Sequence, residues 1–233
     1  MRAIRNGLSL HWNREAITNL LVTLVPLGLV SFLISMQSSL PRLLLNRHGG
    51  ESELGVFVAL TAILIAGMGL AGSVSQAIVP RLAWLRADDD RHGFVRLLLL
   101  LLTGSLGLTI AAVLGAWIVG PFVVRILYSA EYAEHNTALM WLAVACGVTL
   151  MGGFVGNAIT VARQLRIQVV NNVIALGVLF ALCLVLVPRY GIAGAAASIA
   201  LSDIIVLLLN VVVLIRFLDS WSAKQDSLRS AGA

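Results

Sequence analysis

The sequence predicts an all-α integral membrane protein, a bundle of six transmembrane helices forming one lobe of a two-lobe transporter fold. Three observations predict it. The chain has 233 residues, 59% of them hydrophobic and only 12% charged, with a mean hydropathy of +0.96. A soluble domain is about half apolar and about a quarter charged, so one aqueous core could not hide this much apolar surface. Apolar runs long enough to cross a hydrocarbon core, about 20 residues each, recur along the chain. The basic residues are concentrated in alternate connections between those runs.

The first span is expected from about Ala16 to Ser39, with a kink at Pro26. Arg2, Arg5 and Arg14 precede it, but no small-residue cleavage site follows, so it reads as a retained helix rather than a signal peptide. A turn at Gly49-Gly50 leads to the second span, about Leu54 to Val79, whose Ala66, Gly67, Gly69, Ala71, Gly72 and Ser73 permit close helix packing. The third runs from about Val95 to Val119 and the fourth from about Leu139 to Ala162. The fifth, about Ile167 to Val187, is expected to stop at Pro188, and the sixth covers about Ile192 to Ile215. Residues 1–15 and 217–233 are expected to be cytoplasmic tails around a lobe of residues 16–216.

Of the sixteen Lys and Arg, twelve fall on the side that carries both termini. Arg42, Arg47, Arg125 and Arg189 fall on the other. The bias predicts both termini in the cytoplasm. Trp12, Trp84 and Trp221 would then lie at the inner interface, Trp117 and Trp141 near the outer one. The net charge of +5 is explained by membrane lipids and this orientation rule, and no nucleic-acid partner is expected.

Catalytic chemistry finds little support. His11, His48, His92 and His135 all lie in connections or tails, and none shares metal-ligand spacing with a cysteine or carboxylate. Cys146 and Cys183 sit inside apolar runs. No nucleophile elbow, P-loop or HExxH is present. The expectation is a protein that is not an enzyme, with no cofactor and no metal.

The polar residues within the spans are more informative. Asp203 lies about eleven residues into the sixth span, about 17 Å deep at 1.5 Å per residue. An acid there is costly and points to a cation or proton site; the alternative is a hydrogen-bonded packing residue. Ala196, Ile199, Ala200 and Asn210 share its face, which is expected to look into the protein. Gln164, Gln168, Asn171 and Asn172 form an i, i+4, i+7, i+8 stripe at the start of the fifth span, fit either to line a watery cavity or to bond between helices. Gln76 and Asn157 read as packing residues. Arg42 and Arg47 lie on the side the charge rule disfavours, beside Pro41. Arginine's planar fork suits a phosphate, so Arg42 is the leading substrate contact, followed by Arg47 and Arg125.

Three stretches carry a family resemblance. They are Pro41-Arg42 through Glu53-Leu54-Gly55 to Pro80-Arg81-Leu82-Ala83; Ile126-Leu127-Tyr128 through Glu131-Tyr132; and Val187-Pro188-Arg189-Tyr190-Gly191-Ile192-Ala193-Gly194-Ala195-Ala196. In these the chain resembles the C-terminal half of polysaccharide-biosynthesis flippases of the O-antigen type, within the multidrug/oligosaccharidyl-lipid/polysaccharide exporter superfamily. The resemblance implies transport of lipid-linked (pyrophosphate) oligosaccharide across the bacterial inner membrane, between two lobes of about six helices around a cationic cavity. It carries over Arg42 as the pyrophosphate contact and assigns Asp203 no role. Full transporters of this kind have about twice as many helices, so a second six-helix lobe is expected, from a homodimer or a partner chain, unless the chain is a truncated product. A single lobe cannot rock against itself, so the monomer is expected to be transport-incompetent. A non-transporting scaffold for polysaccharide assembly and a small-molecule or drug exporter of the same superfamily are the alternatives.

Overall fold

The structure, a computed structural model, describes residues 14–118, 136–162 and 165–231. These are helical almost throughout: α1 is Arg14–Ala87, α2 Arg91–Ile118, α3 Asn136–Val161 and α4 Leu165–Ala231. Four stretches are long and apolar enough to cross a membrane, Gly28–Ala62, Arg91–Ile118, Thr137–Val161 and Ile167–Ala223. This is a multi-pass helical membrane protein.

The expectation of six separate spans is therefore corrected to four candidate spans among the described residues. The physical reason lies at two glycines. α1, with 74 residues, would be about 110 Å long if straight, far beyond a hydrocarbon core of about 30 Å. α1 and α4 are each two helices joined at a single non-helical residue, Gly50 with φ 74° and Gly191 with φ 52°. No polar loop intervenes, so helical hydrogen bonding resumes at once on either side. Only glycine enters the left-handed region without a Cβ penalty, which makes the hinge one residue long. The helix also passes through Pro41, Pro80 and Pro188, where sequence reasoning ended spans.

Gly194 completes the second reversal. A Cβ on it would collide with the carbonyl of Leu186, part of the helix before the hinge. The Pro188-to-Gly194 segment thus has two distinct glycine requirements, a left-handed backbone at Gly191 and close backbone approach at Gly194.

Two apolar clusters mark the ends of the bundle. At the hinge end, Leu45, Phe57 and Leu60 of α1 pack with Leu139 and Leu142 of α3 and with Leu179, Val187, Ile192 and Ala196 of α4. At the turn end, Leu82 and Leu85 of α1 pack with Phe94 and Leu98 of α2, Val155 and Ile159 of α3, and Leu214 and Trp221 of α4. α2 reaches the hinge-end cluster through Ala116. It lies against α3 at Gly147, where a Cβ would overlap the Thr109 side chain. The opposite face of α2, including Leu99, Leu100, Leu106, Ile110 and Leu114, is exposed, as a lipid-facing surface requires.

The connection between the second and third expected spans, from about Val79 to Val95, shrinks to Asp88–Asp90. The amide of Asp90 donates to the Leu85 carbonyl at 3.0 Å with Asp89 at φ 57° between them, a Schellman closure of α1. Asp90 Oδ1 then accepts from the Gly93 amide at 2.9 Å and caps α2. At the other end of the chain, α4 continues to Ala231. Trp221, in the stretch read as a tail, is only 3% exposed.

Candidate functional site

Arg42 opens onto a cavity of about 360 Å³ lined by Met36, Ser39, Leu40, Arg42, Leu43, Asn46 and Leu54. Helical spacing explains its position. Pro41 is fully buried, and the next residue, 100° further round the helix, faces outward. Arg42 and Arg47 are both exposed and make no ion pair among the described residues. Arg125 lies outside the described residues.

A polar face leads to that cavity. Gly28, Ser31, Ser35, Ser38, Ser39, Arg42 and Asn46 are all exposed and fall within an arc of about 100° on α1, over about 27 Å of rise. Ser35 and Ser39 donate to the carbonyls of Ser31 and Ser35 at 3.0 and 2.9 Å, and Ser38 to that of Ile34 at 3.2 Å. The hydroxyl protons are thus satisfied within the helix, and the oxygen lone pairs remain open to a neighbour. Sequence reasoning saw Arg42 but not this face; the i, i+4, i+7, i+8 spacing of Ser31, Ser35, Ser38 and Ser39 within an apolar span was the available signal.

The amide stripe at the start of α4 is occupied by helix-to-helix bonds. Asn171 Nδ2 donates to Asn210 Oδ1 at 2.8 Å, and the two residues are 6% and 4% exposed. Gln37 Nε2 donates to the carbonyl oxygen and Oδ1 of Asn172 at 3.2 and 3.3 Å. Asn172 Nδ2 donates to the Gln168 carbonyl at 2.8 Å, and Thr160 Oγ1 donates to Gln168 Oε1 at 3.3 Å. The stripe therefore joins α1, α3 and both helices of α4. Gln164 lies outside the described residues.

The Asn171–Asn210 pair allows a direct test. Asn171→Leu alone orphans a buried amide and is expected to cost about 1 kcal/mol, whereas Asn171→Leu with Asn210→Leu removes both partners and is expected to recover most of it. Thermal unfolding of the two variants in detergent checks this; equal losses would rule out the pairing.

Asp203 accepts a hydrogen bond from Thr149 of α3. Ala196, Ala200 and Asn210 on its face are buried and Ile199 is partly so. Asp203 itself is half-buried. One further acid went unassigned in the sequence. Glu53 Oε2 is shielded from solvent without a hydrogen-bond partner. It lies where a Cβ on Gly191 would come within 3.1 Å of it, so both hinges of the chain meet at this side chain. Among the described residues no three His, Cys, Asp or Glu side chains gather into a metal-binding group.

The chain is similar to a known polysaccharide protein. It is 26% identical over 204 residues to the capsular polysaccharide biosynthesis protein CapF of Staphylococcus aureus. The match covers 87% of this chain and 52% of that protein, so the chain spans about half the length of the curated relative it matches. No family model matches the chain, and no solved structure matches it.

Proposed function

We propose that this chain is one lobe of a flippase-like transporter that carries lipid-linked polysaccharide precursors across a bacterial inner membrane, with both termini in the cytoplasm. The observation that carries the reading is the exposed polar face of α1 that includes Arg42, which makes no ion pair among the described residues. Lipid gives such a face no partner, since unsatisfied polar groups in hydrocarbon are costly. A water-lined path between two lobes does. The cavity mixes one cation and two polar side chains with an apolar wall of Met36, Leu40, Leu43 and Leu54, which suits a phosphate attached to a lipid chain. The similarity to a capsular polysaccharide biosynthesis protein, of which the match covers 52%, supports both the substrate class and the need for a second lobe. Asp203, in contact with Thr149 across two helices, is the candidate coupling group for an ion gradient.

Deleting the gene tests this reading. The expected result is accumulation of lipid-linked sugar in the inner membrane, reversed by the intact gene. Unchanged lipid-linked sugar together with altered dye efflux would favour a small-molecule exporter instead.

A further inference from the structure

We propose that Asp89, Arg86 and Trp221 form a latch that holds the turn end of the lobe closed, and that this contact must release for that end to open. Asp89 occupies the left-handed position of the Schellman closure, φ 57°, a place normally given to glycine or asparagine. Aspartate tolerates that region better than most side chains do, because its short polar group can bond nearby partners.

The surroundings of Asp89 are specific. Its Oδ1 accepts the indole N–H of Trp221 at 2.5 Å, from a residue 132 positions away. The Arg86 guanidinium lies 3.6 Å from the same oxygen and stacks on the Trp221 ring at 4.2 Å. Phe94 meets that ring edge-on at 5.7 Å. The hydrogen bond and the cation–π contact therefore converge on Trp221 of α4, and the ion pair joins their two partners, Asp89 and Arg86. The tryptophan's neighbours Asp219, Ser220 and Ala223 are exposed, so beyond the apolar packing of Leu214, Phe217 and Leu218 this contact is what ties α4 to the α1–α2 turn. Trp221 belongs to the turn-end cluster, which shares no residue with the hinge-end cluster, so the contact can separate without unpacking the hinge end.

The test uses the full chain, purified in nanodiscs, with Cys146 and Cys183 replaced by alanine and spin labels at Asp88→Cys and Ser220→Cys. A second label pair at Asn46→Cys and Arg189→Cys reports on the hinge end. Asp89→Ala removes the acceptor. Trp221→Phe keeps an aromatic ring but deletes the N–H donor, so the question survives if Asp89→Ala does not fold. The expected result is a discrete longer distance at the turn end, its population rising about tenfold as a charge-assisted hydrogen bond is lost, with the hinge-end distance unchanged. An unchanged turn-end distance in both variants would overturn the latch. So would broadening at both ends together, which would make the contact a brace for the fold. The readout needs no sugar, so its failure is distinct from failure of the transport reading.

Discussion

Gly194→Ala is expected to lower the thermal midpoint of the purified protein by about 6–12 °C, corresponding to a loss of about 3 kcal/mol. The added methyl group would strike the backbone carbonyl of Leu186 rather than the tip of a side chain. Backbone cannot rotate out of the way, so the helices before and after Gly191 must separate. That disturbs the hinge-end cluster, where Val187, Ile192 and Ala195 are packed almost without exposure. Gly191→Ala should be milder. It places a Cβ in the left-handed region, at a cost of about 1–2 kcal/mol, but its steric neighbour is the Glu53 carboxylate, which can move. Gly153→Ala is the control, because nothing lies within 4 Å of its new methyl group, and it should change stability by less than about 1 kcal/mol. Unfolding followed by tryptophan fluorescence orders the three variants. A midpoint for Gly194→Ala equal to that of Gly153→Ala would disprove the close approach.

The same hinge shows what the sequence revealed and what it hid. Composition and run length were enough for a helical membrane protein, because lipid permits few other backbone arrangements. The Pro-x-Tyr-Gly-x-x-Gly-Ala segment was recognisable as a turn. Its one-residue length was not, because Pro188 suggested an earlier stop. A proline removes one helical hydrogen bond and bends the chain, yet in lipid the helix is the least costly way to satisfy the remaining backbone groups. The helix therefore ran on to the glycine. The same reasoning applies at Pro41, whose ring is buried.

The polar residues were visible individually, but their partners were not. That Gln37 reaches Asn172, that Asn171 reaches Asn210 and that Thr149 reaches Asp203 depends on how the helices are rotated and shifted against one another. Small-residue packing sets those quantities, as at Gly147 against Thr109, and no single-helix periodicity encodes them. Asp89 was hidden for a related reason. It is one of three consecutive aspartates between two spans, and only the left-handed backbone and Trp221 set it apart.

Arg42→Ala is expected to reduce export of lipid-linked sugar by about 10- to 100-fold, the equivalent of losing one charge-assisted contact worth about 1.5–3 kcal/mol. Protein level and thermal midpoint should be unchanged, because Arg42 is exposed and makes no ion pair among the described residues. Arg42→Lys keeps the charge but loses the planar fork, and should restore only part of the activity. Arg47→Ala, five positions further along and outside the cavity lining, should matter less. The measurement is the amount of lipid-linked sugar that accumulates when each variant replaces the chromosomal gene, so that any partner lobe is present. Full export by Arg42→Ala would leave the polar face of α1 without a substrate and favour a scaffold for polysaccharide assembly. Equal defects in Arg42→Ala and Arg42→Lys would mean that the site reads the geometry of the guanidinium rather than its charge, as two parallel hydrogen bonds to a phosphate require.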